Sequence, residues 1–476
     1  MKPFAAFLLI LAPTAHAAAD CASLKTLALP HAAITTAEER SDAGQPACHV
    51  AVTLTPSADS DIKMEIWLPI AAWNGKFLAN GNGGWSGSIT AATLNNGVRR
   101  GYATAMTDTG HSGSSASFAL GHPEKLIDFG YRSVHEMALA SRAIITAFYG
   151  SPAKINYWSG CSAGGRQGLM EAQRYPTDFD GIVAGAPGLN WTGRAIESMV
   201  IANASHKDEA GYIPPAKYAL IHNAVLEACD TLDGVKDGVL ENPARCSFDP
   251  AKLKCPAEDG PGCLTAKQVE TARAIYNPAD FYPGYMRGSE SGWATMAGPR
   301  PFAIGLDLFR YVVFANPDWN FLSFQFPADA ARAVEVAAAT LNATNPDIQP
   351  FLSRGGKLIQ YHGWNDPQIA PGFSVTYYRS VLDKLGNIPA VTSSYRLFMV
   401  PGMAHCSGGD GTSQFDTLAA LEQWVEAKKA PDSIPAARVR NGSADRTRPL
   451  CPYPQVAVYK GAGSIDDAAN FACKTQ

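Results

Sequence analysis

The chain has 476 residues, 46% hydrophobic and 17% charged, too apolar for disorder and long enough for a large core with an insertion. Its 39 basic and 43 acidic residues give a formal charge of −4, so no basic field exists to hold nucleic acid. Beyond the N-terminus no uncharged apolar run reaches the ~18 residues a membrane-spanning helix needs.

Residues 1–17 read as a signal peptide. Lys2 supplies the positive start, Phe4 to Leu11 the apolar stretch, and Ala15-His16-Ala17 the small-x-small cleavage signal. Asp20 directly before Cys21 spoils a lipoprotein cleavage site, so the expectation is a freely secreted or periplasmic protein. Sequons at Asn190, Asn203, Asn342 and Asn441 would matter only in a glycosylating host.

From about residue 50, short apolar runs alternate with helix-like stretches. Ile62–Leu68, Lys76–Ala79 and Tyr102–Thr107 read as strands. The second is followed by a glycine-rich turn, Gly81-Asn82-Gly83-Gly84. Ser133–Phe148 has helical spacing and stops near Gly150; Ile155–Trp158 reads as a buried strand and Arg166–Arg174 as a helix. Strands alternating with helices predict a mostly parallel sheet with helices on both faces. The pattern lapses between about 190 and 350 and resumes with strands at Lys357–Tyr361 and Tyr395–Val400 and a helix at Ser413–Lys428. The predicted layout is a core sheet domain of residues 18–189 and 356–476, interrupted by an insertion of residues 190–355.

Gly160-Cys161-Ser162-Ala163-Gly164 fits G-x-S-x-G between a strand and a helix. That motif puts a serine on a sharp, strained turn where side chains at the flanking glycines would collide. An acid and a histidine should follow in that order, each just past a strand. Asp366 follows Lys357–Tyr361, and His405 follows Tyr395–Val400. Asp366 would hold the tautomer of His405, and His405 would take the Ser162 proton.

Ten cysteines remain after the predicted cleavage, an even number that in an exported chain reads as five disulfides. Local pairing suggests Cys21–Cys48, Cys229–Cys246, Cys255–Cys263 and Cys451–Cys473, leaving Cys161 with Cys406, although spacing alone does not settle connectivity. Cys161 precedes the serine and Cys406 follows the histidine. If Ser162 and His405 lie within hydrogen-bond reach, those two sulfurs can bridge.

With Cys161-Ser162, Asp366 and His405-Cys406 in place, the sequence resembles the tannase and feruloyl esterase group of serine hydrolases, marked by a disulfide between the neighbours of Ser and His. The resemblance implies an α/β-hydrolase core with an inserted lid and hydrolysis of aromatic carboxylic esters. It covers nearly the whole mature chain, all five disulfides included. Hydroxycinnamic (feruloyl-type) esters lead. Gallate esters, as in tannases, and mono-(2-hydroxyethyl) terephthalate are the alternatives. A non-catalytic, calcium-stabilised carbohydrate-binding protein would need a broken triad, and a generic lipase would need no disulfide at this place. For the oxyanion hole, Ala163 supplies one backbone N–H and Gly83 or Gly84 the other. Asp108-Thr109-Gly110-His111 also resembles a family loop near the site, without an assigned role.

The stretch from Cys229 to Val239 puts three carboxylates within eight residues, a density of hard oxygens that suits Ca²⁺. It resembles the family's structural calcium loop, which implies ligands from Asp230, Asp233 and Asp237 and the carbonyls of Val235 and Val239. The aromatics Phe302, Phe309, Tyr311, Trp319, Phe321 and Phe324 read mostly as lid core, with one or two facing an aromatic substrate.

Overall fold

The structure is a computed structural model describing residues 19–41, 44–279 and 282–475; the predicted signal peptide lies outside the described residues. Nine strands form one sheet: β1 (Ala32–Arg40), β2 (Ala47–Leu54), β3 (Ile62–Pro69), β4 (Lys76–Asn80), β5 (Ala103–Thr107), β6 (Ile155–Cys161), β7 (Gly181–Gly185), β8 (Lys357–Gly363) and β9 (Tyr395–Val400). They lie side by side in the order β1-β2-β3-β5-β4-β6-β7-β8-β9. From β5 to β9 every pairing is parallel, whereas β1, β2, β3 and β5 pair antiparallel. The sheet is therefore mostly parallel, as predicted, with an antiparallel edge that was not.

The parallel strands are covered on both sides because neighbouring residues point to opposite faces. Phe77, Trp158, Ile182, Leu358 and Leu397 join one core with Ile144 and Ile145 of the helix Ser133–Tyr149 and Leu169 of the helix Ala163–Arg174. Their neighbours Leu78, Tyr157, Val183, Ile359 and Phe398 pack against Leu421 and Trp424 of the helix Thr417–Ala427. That last helix starts four residues later than the predicted Ser413. Asp416 caps it by accepting from Ala419 N (2.8 Å), while Gln414 is engaged in backbone pairing with Ala437.

Among the described residues, those between β7 and β8 contribute no sheet strand. They form helices, chiefly Trp191–His206, Tyr218–Cys229, Ala266–Tyr276 and Ala328–Leu341. Phe309 packs against Trp319 and Phe324 (centroids 5.3 Å from each), and these three are buried with Phe302. Tyr311 and Phe321 are half-buried. Five disulfides join Cys21–Cys48, Cys161–Cys406, Cys229–Cys246, Cys255–Cys263 and Cys451–Cys473.

Candidate active site

Ser162 stands alone between the end of β6 and the start of the helix Ala163–Arg174, with φ +64° and ψ −121°. A non-glycine residue in such a conformation stores about 1–3 kcal/mol and persists only when its surroundings hold it. Here the surroundings do. Ser162 N donates to Gly185 O (2.9 Å), and Ser162 O accepts from Gly188 N and Arg166 N (both 3.1 Å). A Cβ on Gly160 would sit 2.5 Å from the carbonyl carbon of Gly164, and one on Gly164 would meet Gly81 Cα at 3.0 Å. Both motif glycines are required by close backbone approach.

Asp366 lies in the turn after β8 and His405 in the loop after β9, so parallel strands deliver both to the same sheet end as the elbow. The Asp366 carboxylate is fully buried and accepts four hydrogen bonds. His405 Nδ1 (2.7 Å) and His362 Nε2 (3.1 Å) donate to Oδ2, and the backbone N–H groups of Gln368 (2.8 Å) and Ile369 (3.0 Å) donate to Oδ1. Burial alone would push this carboxyl up. The charges and hydrogen bonds of His405 and His362 outweigh it and hold the group well below the usual carboxylate range. With Nδ1–H of His405 committed to Asp366, Nε2 is left to accept a proton.

The Cys161–Cys406 bridge, with Cα atoms 6.0 Å apart, ties the residue before Ser162 to the residue after His405. His362, which the sequence reading did not single out, is buried with Nδ1 on Ser374 Oγ (2.7 Å). Its only sequence signal is its place four residues before Asp366.

Ala163 is buried at the first position of its helix, and Gly83 and Gly84 lie in the turn after β4, Gly84 with φ +54°. The Asp108–His111 loop supports that turn. His111, buried and pushed toward the neutral form by desolvation, places Nε2 2.7 Å from Trp85 O. Thr109 takes φ +61°, and Asp108, raised by burial to about 6, accepts from Lys63 N (2.9 Å) and Gly110 N (2.8 Å). Trp85 Nε1 donates to Ile304 O (2.9 Å), so the insertion rests directly on the glycine turn.

In the acidic loop, Asp230 accepts from Gly238 N (3.0 Å) and Asp233 from Val235 N (2.9 Å). Asp237 Oδ2 meets Arg448 Nη2 (2.6 Å) and Arg446 Nη1 (3.2 Å). Elsewhere Cys255, Asp259 and Cys263 place ligand-type atoms within 4.8 Å of one another. The two sulfurs are bonded together and so offer no thiolate to a metal. No helix among the described residues is long and apolar enough to cross a membrane.

A family model described as tannase and feruloyl esterase matches residues 48–474. A protein named probable feruloyl esterase B-1, from Aspergillus flavus, is 36% identical over 90% of this chain and 86% of its own length. The crystal structure of feruloyl esterase B from Aspergillus oryzae superposes with a TM-score of 0.88 at 31% identity, covering 95% of this chain and 99% of that one. Tannin acyl hydrolase from Aspergillus niger follows with a TM-score of 0.78 at 25% identity, over 94% and 90% of the two chains. The chain belongs to the tannase and feruloyl esterase family and is a carboxylic ester hydrolase on an α/β fold.

Proposed function

We propose that the protein is an exported serine esterase that cleaves esters of hydroxycinnamic acids through an acyl-enzyme. The carrying observation is the 2.7 Å contact of His405 Nδ1 with buried Asp366, in a loop tied by disulfide to the serine elbow. In this reading Ser162 Oγ attacks the ester carbonyl as His405 Nε2 takes its proton. The oxyanion of the tetrahedral intermediate binds the N–H of Ala163 and that of Gly83 or Gly84. The alcohol leaves with the proton from His405, and water then releases the acid by the same steps in reverse order. The intact Asp366–His405 pair argues against the non-catalytic alternative. The disulfide between the neighbours of Ser162 and His405 argues against a generic lipase.

The feruloyl ester class is favoured by the likeness to the feruloyl esterases of the two Aspergillus species. The lower identity to tannin acyl hydrolase makes gallate esters second. The test is turnover of methyl ferulate, methyl gallate and mono-(2-hydroxyethyl) terephthalate by the wild type and Ser162→Ala. Ferulate should be fastest, and Ser162→Ala should lose roughly 10⁴–10⁶ in kcat. Faster gallate turnover would transfer the assignment to a tannase, and retained activity in Ser162→Ala would overturn the nucleophile.

The acidic loop is read as a structural calcium site with Asp230, Asp233, Asp237 and the carbonyls of Val235 and Val239 as ligands. Its chemistry fits. Asp237 engages the guanidinium groups of Arg446 and Arg448, whereas Asp230 and Asp233 accept from main-chain N–H groups. That leaves the carboxylates of Asp230 and Asp233 as hard oxygen donors that would suit a divalent cation. Export is supported by the five disulfides, which persist in oxidising compartments. The division into a catalytic domain (18–189 and 356–476) and an inserted domain (190–355) agrees with the absence of sheet strands between β7 and β8 among the described residues.

A further inference from the structure

The two donors of the proposed oxyanion hole sit on different elements. Ala163 opens the helix after β6, and Gly83 and Gly84 belong to the turn after β4. Catalysis requires their N–H groups to converge with sub-ångström accuracy; β4 and β6 are paired as far as Asn80 and Ser159, but the donors lie beyond those paired residues.

One side chain spans the gap. Gln167, one helical turn beyond Ala163 and 2% exposed, meets Asn82, 5% exposed, at both ends of its amide. Gln167 Oε1 accepts from Asn82 N (3.0 Å), and Gln167 Nε2 donates to Asn82 Oδ1 (3.1 Å). Asn82 is anchored further. Its carbonyl accepts from Gly164 N (2.7 Å), and its Nδ2 donates to Thr107 O (2.8 Å) and Ser88 O (3.1 Å). The two main chains touch here as well, since a Cβ on Gly81 would sit 2.4 Å from Gly164 Cα. A buried amide pair with every polar atom satisfied adds little net stability over an apolar filling of the same volume, but it specifies one relative placement.

We propose that Gln167 and Asn82 are positioning residues that set the separation of the two oxyanion donors, acting on the transition state and not on substrate binding. The proposal rests on the Ser162 acyl-enzyme reading above.

The test compares the wild type with Gln167→Met, which keeps the side-chain length and removes both bonds, and Gln167→Glu, which turns the donor facing Asn82 Oδ1 into an acceptor. Initial rates on methyl ferulate are divided by the concentration of active sites titrated with a fluorophosphonate. Affinity is also measured for a trifluoromethyl ketone analogue that forms a tetrahedral adduct. The expected result is a fall in kcat per site of about 10–100-fold in both variants with KM within about twofold, and adduct affinity falling in step with kcat/KM. A purely structural role would reduce the titratable fraction and the melting temperature while leaving kcat per site unchanged.

If kcat per site in Gln167→Met stays within threefold of wild type, or the loss appears in KM alone, the proposal is overturned. Should that variant not fold, Gln167→Glu decides by the same split. Failure of the fluorophosphonate to label Ser162 in the wild type would instead sink the acyl-enzyme reading.

Discussion

The proposed catalytic centre and the acidic loop are two answers to the same difficulty, that of keeping carboxylates away from water beside a disulfide. At the centre, Asp366 is surrounded by four donors from its own chain, two of them imidazoles. In the loop, Asp237 has two arginines, whereas Asp230 and Asp233 accept from main-chain N–H groups of nearby residues. The first is electrically closed by the fold; the second has negative charge left over. In the proposed reading one site is complete when the chain has folded, and the other takes a cation from solution.

The sharpest way to break the closed site is Asp366→Asn, which keeps shape but removes the charge facing His405. Its kcat should drop about 10⁴-fold with little change in KM, checked by steady-state kinetics on methyl ferulate. Next comes the paired change Cys161→Ala with Cys406→Ala. It frees the two loops from a closure of 245 residues, and about 10–100-fold in kcat should be lost through misplacement of His405. The same treatment of Cys229 and Cys246 should lower the melting temperature and leave kcat within about twofold.

For the open site, chelation with EDTA should lower the melting temperature by several degrees, about 3–8 °C if calcium is held some hundredfold above its Kd. Readdition should restore it, and an unchanged melting curve would count against the ion.

Glu197 sharpens the comparison from a third position. It is wholly buried in the insertion, with Oε1 accepting from Gly284 N (3.2 Å) and Oε2 without a hydrogen-bond partner. Burial raises its carboxyl to about 8, although the Gly284 hydrogen bond and the charge of Arg194 pull the other way. The folded state therefore holds a proton that the unfolded chain has released by about pH 5, and stability falls as pH rises from there toward 8. Glu197→Gln should flatten that slope, gaining about 2–4 °C over wild type at pH 8 and little at pH 5. Equal gains at both pH values would show that the carboxyl does not titrate in that window.

The candidate site residues legible in the sequence were those tied to a local pattern. Ser162 sits in a motif, and Asp366 and His405 each follow an apolar run that could only be a strand. What stayed hidden depended on distant partners. β1 alternates half-buried and exposed residues only from Ala32 to Thr36 and ends in three exposed residues, Glu-Glu-Arg, so its pairing with β2 has no continuous apolar signature. β7 is only five residues long and contains two glycines. The terminal hairpins Ile434–Arg440 with Ser443–Leu450 and Gln455–Tyr459 with Phe471–Thr475 were equally unmarked. His362, Gln167 and Asn82 are polar residues that acquire meaning only when the sheet brings other elements against them. Local spacing carries no trace of such meetings.

The insertion's attachments have a consequence for how molecules enter. Trp85 Nε1 bonds Ile304 O (2.9 Å), Arg166 Nη1 reaches Leu341 O (3.3 Å), and Asn365 Nδ2 reaches Gly288 O (2.6 Å). Each bond joins a side chain of the sheet domain to main chain of the insertion, and the Arg166 link is fully buried. An element fastened in this way is a wall rather than a door. Swinging it aside would uncover paired polar groups, at a cost closer to that of partial unfolding than of a hinge. Entry then does not proceed by opening the insertion, and core and insertion should lose their amide protection against deuterium together, as one cooperative unit.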